Sequence, residues 1–181
     1  MHEKITGIVI AGGKSTRMGE NKALVKYKHE RLIDCAIRIL DPVVDFLIIS
    51  SNESLPKIPY IMVKDEIQNI GPIGGLYSAL KKSKTEKNVV IACDVPNVTS
   101  EFYEKLIKNL NDYDAVIPEH SEGKLEPLVA VYSQNILPIV EEQIKNKEYK
   151  MMNLIAKLNV NFISVKYGSM FKNVNAPGDL G

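Results

Sequence analysis

Short apolar runs rich in β-branched residues alternate along this chain with longer segments whose apolar residues recur every three or four positions. Ile5 to Ala11 (Ile-Thr-Gly-Ile-Val-Ile-Ala) is the first such run. It is short enough for a strand buried on both faces, and it empties into Gly12-Gly13. Leu32, Ile33, Ala36, Ile37 and Leu40 fall at helical spacing and stop at Asp41-Pro42, because the residue before a proline is pushed out of the helical region. Phe46 to Ser50 and Tyr60 to Val63 predict two more strands, separated by a stretch rich in chain breakers. Gly71-Pro72 opens a helix over Ile73 to Leu80. Asn88 to Asp94 is a clear buried strand ending in a carboxylate, and Thr99 or Ser100 caps a helix through Leu110. Farther on, Ala115 to Pro118 and Leu128 to Tyr132 read as strands joined by a long hairpin-type loop. Helices near Ile136 to Lys145 and Tyr149 to Leu158 and a strand over Asn161 to Tyr167 complete the order.

Strands that alternate with helices pair in parallel through right-handed crossovers, with helices on both faces of the sheet. The late hairpin adds one antiparallel strand. The expected fold is α/β: a three-layer sandwich around a mostly parallel, Rossmann-like sheet carrying one antiparallel strand, in a single domain over residues 1–181. Ligands of such sheets sit beyond the carboxyl ends of the strands. The loop after Ala11 and the carboxylate of Asp94 are therefore expected to share one crevice.

Composition changes this picture little. A chain of 181 residues buries roughly two-thirds of its unfolded surface and folds without staples. A net charge of +1 supplies no global field for a polyanion, so nucleic acid is not an expected partner. Cys35 and Cys93 lie in apolar runs without paired spacing and read as inert, buried thiols in a reducing cytosol. The charged N-terminus runs straight into a strand, and no apolar run approaches the roughly 18 residues a membrane helix needs. No membrane is expected, and the location expected is cytoplasmic. His2, His29 and His120 fall in a terminal tail and two loops, without metal-ligand spacing, and are assigned no chemistry.

The candidate chemistry starts in the loop. Between Gly12 and Lys26 the chain places Lys14, Arg17, Lys22 and Lys26 against a single acid, Glu20. Glycines bring bare N–H groups to an anion, arginine offers a planar fork and lysine a point charge. The segment does not fit the Walker pattern, since five residues separate Gly13 from Gly19 and Glu20 stands where the lysine belongs, nor does it fit GxGxxG. On composition alone a solvated surface loop is the competing reading.

The segment Gly7-Ile-Val-Ile-Ala-Gly-Gly-Lys-Ser-Thr-Arg-Met-Gly19, followed by Asn21-Lys-Ala-Leu24, resembles the signature of sugar-nucleotide-type nucleotidyltransferases, and closest the molybdenum cofactor guanylyltransferases. Further segments similar to that family follow in order: Asp65 with Gly71-Pro-Ile-Gly-Gly75, Ala92-Cys-Asp-Val-Pro96, Glu126-Pro-Leu-Val-Ala130, and Asn173-Val-Asn-Ala-Pro-Gly-Asp-Leu180. The resemblance spans nearly the whole chain and implies the nucleotide-diphospho-sugar transferase version of the fold. It further implies that GMP passes from GTP to the terminal phosphate of molybdopterin, with release of pyrophosphate. The alternatives are a cytidylyl- or uridylyltransferase acting on molybdopterin or another small phosphate acceptor, and a non-catalytic nucleotide-binding module.

The same resemblance implies the roles of single residues. Lys22 would sit on the phosphates of the transition state, Arg17 on the β and γ phosphates, and Asp94 on Mg²⁺, although a turn aspartate is the plainer reading of Asp94. Ile10, Ala11, Gly12, Gly13, Asn52 and Asp65 match nucleotide-holding positions, and Gly71 to Gly75 the turn on which the nucleotide rests. Asn52 reads equally as an Asx-turn residue. Asn173 and Asn175 match the acceptor side, or cap a turn before Pro177. The implied partners are GTP and a molybdopterin-type acceptor, with pterin-delivering or molybdoenzyme-maturation proteins. The chain departs from the family pattern at Asn21 (usually aspartate), at His29-Glu-Arg31 (usually Gly-Lys-Pro) and at Asn-Ala-Pro-Gly-Asp (usually Asn-Thr-Pro-Glu-Asp). These departures spare the phosphate grip and bear on the acceptor side.

Overall fold

The structure, a computed structural model, describes residues 3–12, 21–166 and 168–175. A seven-stranded sheet runs in the order β5-β4-β1-β6-β8-β7-β9. Its strands are β1 (Ile5–Ile10), β4 (Phe46–Ser50), β5 (Ile61–Val63), β6 (Lys87–Ala92), β7 (Ala115–His120), β8 (Val129–Ser133) and β9 (Val160–Val165), and a two-residue hairpin, β2 (Lys26–Tyr27) and β3 (Glu30–Arg31), stands apart. Every pair in the large sheet is parallel except those made by β8, which is antiparallel to both β6 and β7.

Side-chain alternation along the central strands sorts the interior into two cores. Val9, Val89, Ile91, Val116, Val129 and Val131 face one side, where α1 (Leu32–Leu40) and α3 (Ser100–Lys108) supply Ile33, Ala36, Ile39, Tyr103 and Leu106. Ile8, Ile10, Val90, Ala115, Ile117, Ala130 and Tyr132 face the other, against α2 (Pro72–Lys82), α4 (Leu137–Lys145) and α5 (Met151–Ile155). This is the expected three-layer sandwich. Each fully buried aliphatic side chain contributes about 1.5–3 kcal/mol, so the runs that looked like two-faced strands hold the layers together. No helix among the described residues is long and apolar enough to cross a membrane.

The elements start and stop for local reasons. The Thr99 hydroxyl accepts from Phe102 N at 3.3 Å and starts α3. The helix expected over Tyr149 to Leu158 shortens to α5, because Gln143 Nε2 donates to the Lys150 carbonyl (3.1 Å) and holds Lys150 extended just before it. The strand expected to end at Asp94 ends at Ala92, and Asp94 occupies the turn beyond. His120 is not in a loop: it closes β7, fully buried, with Nε2 2.9 Å from Glu126 Oε1.

The β2–β3 hairpin turns through Lys28 (φ 47°) and His29 (φ 73°). Two successive positive φ values are the mark of a type I′ turn, which asparagine and glycine adopt far more cheaply than lysine and histidine. The double substitution Lys28→Asn with His29→Gly is therefore expected to raise unfolding free energy by about 1 kcal/mol, read by urea denaturation. The free thiols are both buried. Burial, reinforced by the hydrogen bond to Glu30, pushes Cys35 up to about 12, and burial beside the Asp94 charge pushes Cys93 to about 12. The folded state thus holds these protons more tightly than the unfolded one. The stability they contribute is complete below about pH 9 and is lost as pH climbs toward about 12. Ellman's reagent at pH 8 should find no reactive thiol in the native protein and both in denaturant; fast native reaction of either would contradict this burial.

Candidate active site

β1 and β6 pair in parallel with Ile10 opposite Ala92, and Cys93 N continues the ladder to the Ile10 carbonyl at 3.1 Å. On the other side Ala11 N donates to Ser50 O at 2.9 Å, and Ser51 N to Val63 O at 2.9 Å. Main-chain bonds therefore bring three strand exits to one edge, where a groove with two lobes opens. One lobe, about 470 Å³, lies over β1 and β4, and Ile10, Ala11, Gly12, Asn52, Asp65, Gly71 and Gly75 are among its walls. The other, about 310 Å³, lies toward β6 and β8 and includes Lys22, Asp94, Glu126 and Asn173. Ile10, Ala11, Gly12 and Pro72 wall both lobes, so one extended ligand can pass over the end of β1.

In the larger lobe the polar groups are paired rather than scattered. Asn52 Oδ1 accepts from Asp65 N (2.9 Å) while its amide donates to Asp65 Oδ2 (2.9 Å), and Ser50 Oγ reaches Asp65 Oδ1 (3.3 Å). Asn52 is thus the partner of Asp65, not an Asx-turn residue. Gly71 has φ 79°, a conformation side chains resist. At Gly75 an added Cβ would stand 2.5 Å from Ser50 Oγ and 3.4 Å from Asp65 Oδ1, so any other residue would push the Ser50 hydroxyl from the place where it meets the carboxylate.

In the smaller lobe Lys22 Nζ lies 2.7 Å from both Asp94 Oδ2 and Asn175 Oδ1, and Asn173 Nδ2 lies 3.5 Å from the same Asp94 oxygen. Two local devices aim these groups. Asn21 Oδ1 accepts from Ala23 N (2.9 Å) and caps the single 3-10 turn that carries Lys22. The strap bearing the two asparagines is held by Val174 N on the Asp94 carbonyl (2.9 Å) and by buried Phe171, edge-on to Phe102 and to His120 with centroids at 5.6 and 4.9 Å.

Asp94 Oδ1 is buried with no hydrogen-bond partner among the described residues. An orphaned hard oxygen beside a phosphate-sized space fits a divalent cation better than it fits a structural role. No group of three or more His, Cys, Asp or Glu that could hold a metal occurs among the described residues. Among the described residues Asp94 would be the carboxylate that holds such a cation, since divalent ions of this kind favour hard oxygen ligands.

Of the residues singled out from sequence, Ile10, Ala11, Gly12, Lys22, Asn52, Asp65, Gly71, Gly75, Asp94, Asn173 and Asn175 converge on this groove or on its Lys22–Asp94 centre. Gly13, Lys14 and Arg17 lie outside the described residues, and Lys26 sits exposed on the hairpin. Sequence reasoning passed over Ser50, Glu53 and the role of Glu126. Ser50 carried a faint signal, as the polar end of an apolar strand. Glu53 carried none: it earns a place only by accepting from Asn21 Nδ2 at 2.7 Å across 32 residues.

A family model described as the MobA-like NTP transferase domain matches residues 7–161. A probable molybdenum cofactor guanylyltransferase of Flavobacterium johnsoniae is 33% identical over 181 residues, 98% of this chain and 95% of that one. Another, from Pyrococcus horikoshii, is 35% identical over 191 residues, 98% and 97% of the two chains. Among solved structures, the molybdopterin-guanine dinucleotide biosynthesis protein A of Archaeoglobus fulgidus superposes with a TM-score of 0.82 at 25% identity, covering 97% of this chain and 94% of that one. A groove across the ends of β4, β1 and β6, with Lys22 and Asp94 at its centre, and a match over most of the chain lead to the same place: this protein belongs to the MobA-like NTP transferase family.

Proposed function

We propose that this chain transfers GMP from GTP to the terminal phosphate of molybdopterin, forming the guanine dinucleotide and releasing pyrophosphate. The observation that carries the reading is the two-lobed groove with a lysine–carboxylate centre between its lobes. An acceptor phosphate oxygen forms a bond to the α-phosphorus as the bond from that phosphorus to the β-phosphate oxygen breaks. Both reactants are anions, so the protein's main tasks are to neutralise charge and to hold the two in line.

In this reading Lys22, released from Asp94 when substrate enters, donates to the phosphate oxygens on which charge develops. Arg17 would serve the β and γ phosphates, as the family resemblance implies. Asp94 Oδ1 would anchor Mg²⁺, which would supply Lewis-acid stabilisation of the charge that develops on the phosphates. Asn175, freed of Lys22, and Asn173, freed of Asp94, offer amides to the acceptor phosphate. The bare backbone of Ala11 and Gly12 lets the nucleotide lie close over β1.

Asp65 supports guanine as the base. Ser50 and Asn52 hold its carboxylate, which is acceptor-only when ionised. Guanine presents two adjacent donors, N1–H and the 2-amino group. Cytosine and adenine present an amino group beside an acceptor, and uracil one N–H between two carbonyls, so none of them satisfies a carboxylate as fully.

With Mg²⁺ and nucleotide at a hundred times its Kd, GTP should stabilise the fold by roughly 2.7 kcal/mol, read as a thermal shift exceeding those of ATP, CTP and UTP at the same concentration. Asp65→Asn should erase the difference. Equal shifts in the wild type would refute the base assignment. Asp94→Asn should cut pyrophosphate release from GTP and molybdopterin by about 10² to 10³-fold without loss of the native melting transition; undiminished release would remove Asp94 from the chemistry.

A further inference from the structure

The smaller lobe holds a second carboxylate for which phosphate chemistry has no use. Glu126 lines the same 310 Å³ space as Lys22, Asp94 and Asn173. An ionised carboxylate has acceptors only and offers a phosphate no donor, so Glu126 faces some other part of the acceptor, and that part must carry N–H or O–H donors.

Glu126 is held as firmly as Asp65. Its Oε1 lies 2.9 Å from Nε2 of fully buried His120 and 2.8 Å from Lys124 Nζ, while its side chain is only 12% exposed. No hydrogen bond to Oε2 is made among the described residues. The main chain around it is occupied. Glu126 N donates to Pro118 O (3.1 Å), Val129 N to Glu126 O (3.0 Å) and Ala92 N to Leu128 O (2.9 Å). The hydroxyl of buried Tyr132 donates to Pro127 O (2.8 Å). With these carbonyls taken, the Glu126 carboxylate is the polar group that residues 126–129 offer to the lobe, flanked by Pro127, Leu128 and Val129.

Apolar lining beside a fixed acceptor suits a heterocycle that bears adjacent donors. We propose that Glu126 is a specificity-determining residue for the acceptor, recognising the N3–H and 2-amino edge of a pterin while the phosphate end lies against Lys22 and the strap asparagines. This rests on the guanylyl-transfer reading for the orientation of the groove, and it adds the ring of the acceptor to the phosphate already assigned. The groove then uses one device twice, with Asp65 for a purine edge in one lobe and Glu126 for the similar edge of a pterin in the other. His120 and Lys124 are positioning residues that act through Glu126.

Pterin and lumazine form the test pair. They share the ring and the N3–H and differ at position 2, an amino donor in pterin and a carbonyl acceptor in lumazine, which also carries a hydrogen on N1; both are fluorescent. Titrated into the protein with saturating GTP and Mg²⁺, pterin should bind at least about tenfold more tightly than lumazine, the effect of one hydrogen bond to a charged group. In Glu126→Gln the two should bind within about threefold of each other, since an amide serves either ring. A ratio near one in the wild type, absence of binding by both compounds, or a ratio unchanged in Glu126→Gln would each overturn the assignment. The GTP-induced thermal shift of the same wild-type sample tests the guanylyl reading separately: a GTP shift without pterin preference sinks only the role of Glu126.

Discussion

The site depends on the parallel pairing of β1 with β6. That register sets Ile10 beside Ala92 and so brings Lys22 and Asp94, 72 residues apart in sequence, to 2.7 Å. As a stabilising contact this pair is worth little, because its side chains are about one-fifth exposed (22% and 19%) and ion pairs of that kind return little beyond their desolvation. Its importance is positional. It keeps a cation and a carboxylate together at the junction of the two lobes, with a second Asp94 oxygen enclosed and without a partner among the described residues. A fold optimised only for stability would not leave that atom without a partner.

The groove is built mainly from backbone. Hydrogen bonds at Ala11, Ser51, Ala92 and Cys93 carry the sheet pattern into the loops, and Tyr132 and the β8 entry fix the Glu126 loop. The few polar side chains then stand on rigid supports, and each is held by a neighbour: Asp65 by Asn52 and Ser50, Glu126 by His120 and Lys124, Lys22 by Asp94 and Asn175. Preorganisation of this kind lets a small number of charges act on a reaction between two anions.

Two of the departures from the family pattern have physical readings, and the third, beyond Asn175, lies outside the described residues. Asn21 keeps the capping acceptor an aspartate would supply, and its amide adds a donor that reaches Glu53, where a second carboxylate would be repelled. At Lys28-His29 the chain accepts two left-handed residues in a turn that glycine would make without strain. The first of these keeps in place the cap on the turn that carries Lys22.

The α/β order, the limits of α1, the two-faced character of the central strands and the single antiparallel strand could all be read from the sequence. Burial on both faces and helical spacing leave local marks, and Asp41-Pro42 and Thr99 are local stops. The glycine-rich loop and Asp94 were legible as suspects for the same reason: strand ends in such sheets are where ligands sit. What the sequence alone could not decide was pairing. That Asn52 holds Asp65, that Glu53 meets Asn21, that His120 is the buried support of Glu126 rather than a loop residue, and that Gly75 makes room for Ser50 all follow from contacts across 6 to 32 residues or between separate strands. Local sequence records which residues favour a strand, a turn or a cap. Which carboxylate faces which donor is set by the register of the sheet and the path of its loops, and only the folded chain decides that.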